Sequence, residues 1–174
     1  NMTIESGAFD LNSTDYDAIH ARQGNLLIKD GAFDLDAARY GIHVYNSSRS
    51  IILEGGNYRI DSNHSGIGGN ASITIKGGTY NISANYGGIL LSNGKSSGNS
   101  LSILDGELVI RSNTTDYDSQ FCALNADYIN LALHLDIKAA TTPDGTLGAY
   151  DKAQNATYDY VQITPTGNLW VGGV

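Results

Sequence analysis

With a single cysteine, Cys122, the chain has no intramolecular disulfide and no zinc site built on thiolates. Its setting in Phe121-Cys122-Ala123-Leu124 reads as a small buried hydrophobe. Charge is scarce too: only 16% of the residues are charged. The 10 Lys and Arg against 18 Asp and Glu leave a net charge of −8, which excludes electrostatic attraction to nucleic acid or to an anionic membrane. No apolar run is long enough to span a bilayer, so direct membrane insertion is not expected. Neither a nucleophile–base pair nor a phosphate-binding loop can be found, and the basic side chains Arg22, Arg39, Arg49, Arg59 and Arg111 share no column of the repeat described below. The reading leans away from an enzyme. Only two prolines interrupt the chain, whereas 21 glycines supply many tight corners.

What is present is a repeated phrase. MTIESGAFDL (2–11) returns as LLIKDGAFDL (26–35), IILEGGNYRI (51–60), ITIKGGTYNI (73–82) and LSILDGELVI (101–110). The starts near 2, 26, 51, 73 and 101 have the period of a solenoid. Apolar and polar residues alternate on both sides of a glycine, so each phrase reads as two strands meeting at a corner. After a variable loop comes a third short segment: Ile19, Ile42, Ile67, Ile89 and Leu124 mark it in successive repeats. Three short strands per turn predict an all-β, single-stranded parallel β-helix of about five to six coils.

The alternation also predicts a register. Ile4, Ile28, Leu53, Ile75 and Ile103 form one inward column; Phe9, Phe33, Tyr58, Tyr80 and Leu108 a second; Leu11, Leu35, Ile60, Ile82 and Ile110 a third. Outside, Glu5, Lys29, Glu54 and Lys76 alternate in sign, and Asp34 is placed to pair with Arg59. The coils occupy residues 1–126. Residues 127–174 depart from the pattern and are expected to form a final irregular coil and a C-terminal cap, or the start of a next module. The chain opens in mid-repeat, which suggests a piece of a longer protein, monomeric as a fragment, with any signal or anchor outside it.

Loops on a rigid scaffold often carry function. The loop before each third strand holds an aromatic or histidine: Tyr16, Tyr40, His64, Tyr86 and Tyr117. Stacked at one edge, these could form a strip for sugar rings, or simply shield the coil edge. Two of the loops share the words Ser-Thr-Asp-Tyr-Asp and Thr-Thr-Asp-Tyr-Asp, offering Asp15 with Asp17 and Asp116 with Asp118 as oxygen ligands for Ca²⁺. His20 and His43 fall at one position on adjacent coils. With Asp17 they could share a transition metal, or be two exposed histidines stacked by repeat symmetry.

The phrases at 52–60 and 73–82, with the Gly-Ile segments after them, resemble the right-handed parallel β-helix (pectate-lyase-like) domains of polysaccharide-lyase-like, carbohydrate-binding surface proteins of Gram-positive bacteria. The resemblance covers about residues 2–126. It implies an extracellular or cell-surface protein, often containing calcium, that binds plant-type or other acidic polysaccharide, or a cell-surface glycan, usually without detectable catalysis. Two other readings stand beside it: a structural or adhesive stalk of a large adhesin, and a polysaccharide lyase or hydrolase.

Overall fold

The structure, a computed structural model, describes residues 1–91, 98–114 and 121–167. Each coil contributes three strands. The first is β1 (Met2–Ile4), β2 (Ala8–Ser13) and β3 (Ile19–Ala21); the second is β4 (Leu26–Ile28), β5 (Ala32–Ala37) and β6 (Ile42–Val44). β7 (Ser50–Leu53), β8 (Asn57–Ser62) and β9 (Ser65–Gly69) form the third coil; β10 (Ser72–Ile75), β11 (Thr79–Ala84) and β12 (Gly87–Leu91) form the fourth. The fifth is β13 (Ser100–Ile103), β14 (Glu107–Ser112) and β15 (Leu124–Asn125). Strands of one kind pair in parallel from coil to coil, giving three sheets that enclose one core: a parallel β-solenoid of about five turns.

The register is the one the alternation predicts. Ile4 pairs with Ile28, Ile28 with Leu53, Leu53 with Ile75 and Ile75 with Ile103. Phe9, Phe33, Tyr58, Tyr80 and Leu108 are likewise successive partners. Their rings stack nearly flat, with centroids 4.9, 4.7 and 4.5 Å apart from Phe9 through Tyr80. That is the spacing of neighbouring strands, so the backbone itself sets the stack. Isoleucines and leucines fill the rest of the core, most of them fully buried.

The corner before each second strand turns at a glycine with positive φ; at Gly78 the value is 100°, and a Cβ would stand 2.6 Å from the carbonyl oxygen of Gly56. Outside the first corner, Lys29 binds Glu5 at 2.9 Å and Lys76 binds Glu54 at 3.0 Å. The alternating column thus resolves into two ion pairs.

The C-terminal part closes the stack. β16 (Tyr128–Leu131) adds a sixth parallel strand to the first sheet. β17 (Leu135–Ala140), β18 (Gly148–Ala149) and β19 (Tyr160–Pro165) extend the second sheet in the order β14-β19-β17-β18, all antiparallel. Val161 and Ile163 of β19 are buried against the core. A short 3₁₀ helix, Lys152–Thr157, covers the ends of the other sheets: Asn155 donates to the Leu124 carbonyl and Lys152 to the Ile129 carbonyl, both at 2.6 Å. The Leu124 and Ile129 carbonyls at this end of the stack are thereby occupied.

Candidate functional site

The second-kind strands β2, β5, β8 and β11 are six residues long and pair over their full length, so they present the widest outer face. Their outward positions fall in three rows. The first is Ala8, Ala32, Asn57 and Thr79; the second Asp10, Asp34, Arg59 and Asn81; the third Asn12, Asp36, Asp61 and Ser83. The first two rows line a concave recess of about 560 Å³, with the half-buried Phe9 at one end. A second recess of about 330 Å³ continues it along the third row toward the loops.

Arg59 stands between the two recesses. Its Nη1 donates to Asp34 and, at 3.2 Å, to Asp36; all three side chains are about half exposed. Asp10, Asn57, Thr79 and Asn81 have no side-chain hydrogen-bond partner among the described residues. The face therefore offers free carboxylate acceptors, amide donors and acceptors and a hydroxyl, repeated at strand spacing. It is also acidic, with Asp10, Asp34, Asp36 and Asp61 against Arg59 alone on these four strands. Sequence reasoning explained this column as an ion pair and did not see the recess. The signal was the length of the second strand, which makes it the widest face of the coil.

The loop residues have a different geometry. Tyr40 is buried, with its ring 4.2 Å from that of His43 and 4.8 Å from that of His64. His64 continues to Tyr86 at 5.1 Å, and Tyr86 meets Phe121 edge-on at 4.9 Å. The aromatic positions thus join into a ladder along the coil edge, but Tyr40 itself is buried within it. Tyr86 is 37% exposed; Tyr16, 69% exposed, has no ring partner among the described residues. Phe121 was missed as a rung; Tyr117, Asp116 and Asp118 lie outside the described residues. Burial lowers the pKa of His64, and the nearby Arg39 and His43 charges lower it further.

Asp17 turns away from solvent, its side chain only 1% exposed. Its Oδ2 lies 2.7 Å from Nδ1 of both His20 and His43, and its Oδ1 accepts from the Tyr40 N–H at 3.2 Å. Burial by itself would raise the Asp17 pKa. The His43 hydrogen bond, the Tyr40 N–H and the histidine charges outweigh it and hold the carboxyl below its ordinary value. The expectation of two exposed histidines needs correction. His20 is exposed, but His43 is buried, because Tyr40 covers its face and Tyr45 meets it edge-on. Asp15 is exposed and, among the described residues, accepts only from Thr14. It takes no part in the cluster of ligand atoms that Asp17 forms with the two histidines.

A family profile described as carbohydrate-binding domain-containing protein matches residues 1–145. No curated protein matches the chain, and no solved structure does.

Proposed function

The chain belongs to the family of carbohydrate-binding domain-containing proteins, and from that premise we propose that it holds a glycan chain in the groove along the outer face of β2, β5, β8 and β11. The observation that carries this reading is the recess itself. It is lined by Asp10, Asn57, Thr79 and Asn81, whose hydrogen-bonding capacity no described residue uses. A glycan laid across the strands meets equivalent positions every 4.8 Å or so, a spacing close to the length of one sugar unit. Its hydroxyls both donate and accept, which suits amides and carboxylates alike. Ala8, Ala32 and Phe9 in the lining supply apolar surface for the C–H face of a sugar.

The charge of the face selects among glycans. Four carboxylates against one guanidinium repel a uronate polymer, so the preferred ligand is a neutral polysaccharide. An acidic one binds only where a divalent cation bridges it to the carboxylates. Such polymers are met outside the cell, and the weakly charged, amide- and hydroxyl-rich surface suits an extracellular, cell-surface setting. Tyr16 and Tyr86 flank the coil edge and are secondary contacts in this reading.

Affinity electrophoresis in gels cast with neutral or uronate polysaccharides, with calcium or with EDTA, tests it. Retardation by a neutral polymer in both conditions is expected. Retardation by a uronate polymer in EDTA would overturn the charge argument.

A further inference from the structure

We propose that Asp17, His20 and His43 form a binding site for a borderline divalent transition-metal ion such as Zn²⁺, on a different part of the coil from the glycan groove and independent of it. The three ligand atoms, one carboxylate oxygen and one ring nitrogen from each imidazole, all lie within 4.8 Å of one another. They come from one loop and from equivalent positions on adjacent coils, since β3 and β6 pair His20 with His43. Two imidazoles and one carboxylate are a donor set for zinc and its neighbours. Calcium and magnesium instead take shells of oxygen. Three protein ligands leave a fourth position for water or another exchangeable group.

The surroundings hold these atoms in place. The Tyr40 N–H fixes Asp17 through its second oxygen, and the Tyr40 ring stacks on His43. Gly69 on the next coil makes room for that imidazole: a Cβ there would stand 2.6 Å from His43 Cδ2. Repeat symmetry alone does not produce the pair, because the third and fourth coils carry Gly68 and Leu90 at the same position. His20 is the movable ligand, with its side chain 38% exposed. Of the two present 2.7 Å contacts, that of His43 is a hydrogen bond and that of His20 a close ion-pair contact. Bonds of about 2.0–2.2 Å to a metal require the carboxylate oxygen to move out from each nitrogen and the donors that lie up to 4.8 Å apart to draw together, which rotation of His20 allows. Each imidazole that starts neutral with its proton on Nδ1 moves that proton to Nε2, and each that starts protonated releases one to solvent. Affinity therefore falls as pH falls.

The test is titration of tag-free, chelator-stripped protein with Zn²⁺ by calorimetry and with Co²⁺ by visible absorption. One equivalent should bind, with cobalt bands of nitrogen–oxygen ligation, and a large excess of Ca²⁺ should not displace it. His20→Ala, an exposed substitution that leaves the core untouched, should weaken binding roughly ten-fold or more, and Asp17→Asn likewise; Asp15→Ala should change nothing. No uptake near neutral pH would overturn the proposal, as would uptake unchanged in folded His20→Ala. Displacement by calcium would overturn the assignment to a transition metal.

Discussion

Replacing Tyr80 in steps should separate the contributions that hold the coils in register. The side chain is 1% exposed, stacks on Tyr58 with planes 4° apart, abuts Leu108 on the next coil, and donates to the Gly77 carbonyl at 2.9 Å. Tyr80→Phe removes only the hydroxyl, with its bond to Gly77 and its contact with the Tyr58 hydroxyl, and should cost about 0.5–1.5 kcal/mol. Tyr80→Leu also removes the stacking, worth about 0.5–1.5 kcal/mol, while keeping an aliphatic group of the kind that Leu108 already places in this column. It should cost about 1–3 kcal/mol. Tyr80→Ala opens a cavity as well and should cost about 3–5 kcal/mol. For a chain of this size each kcal/mol lowers Tm by roughly 2–4 °C. Urea unfolding followed by circular dichroism reads the series, with Phe9→Leu as the comparison at the half-exposed end of the ladder, where the cost should stay below that of Tyr80→Leu. Equal costs at Phe9 and Tyr80, or a Tyr80→Leu midpoint equal to wild type, would refute the claim that this ladder is a principal tie between coils.

Other expected outcomes rest on single residues. Gly66→Ala should destabilise by at least 1–3 kcal/mol or prevent folding, because its Cβ would stand 2.2 Å from Ile82 Cγ2 and 2.7 Å from the Gly88 oxygen; soluble yield and thermal melting report it. His64 has a folded-state pKa below 6.5, so as pH falls below about 6.5 the unfolded chain takes up a proton that the folded one refuses, and stability drops until the folded pKa is passed. Stability measured between pH 7.5 and 5 should decline less in His64→Tyr, which keeps a ring in the ladder. Burial pushes the Cys122 thiol up to about 12, so a thiol reagent at pH 8 should leave it unmodified in the folded protein and label it fully in denaturant.

The inward columns were legible in the sequence because a strand has a side-chain period of two and the repeat returns each residue to its own column. Nothing in the local sequence says why Gly41, Gly66 and Gly88 stand immediately before Ile42, Ile67 and Ile89 of the third strands. The structure does: a Cβ at each would strike the Cγ2 of Ile60, Ile82 or Ile110 on the following coil. The burial of Tyr40 and His43 was likewise hidden. The outward side of a three-residue strand is covered or bare according to how the adjoining loop folds over it, and alternation carries no information about that. A strand near Tyr158–Ile163 could be read from its pattern, but its antiparallel place between β14 and β17 is a long-range pairing. The groove was the least legible feature. Outward positions are not constrained by packing, and concavity is a property of several coils together.

The central claim, that the outer face of the second sheet holds the glycan, is tested most directly by polysaccharide retention of Asn57→Ala/Asn81→Ala set beside Tyr16→Ala/Tyr86→Ala. At about 1 kcal/mol for each lost hydrogen-bonding side chain, the groove variant should bind a neutral polysaccharide roughly thirty-fold more weakly, with unchanged melting, while the tyrosine variant keeps most of its affinity. Full retention by the groove variant together with loss in the tyrosine variant would contradict the account and move the site to the loop edge. Absence of retention on any polysaccharide by the folded wild-type chain would contradict it outright.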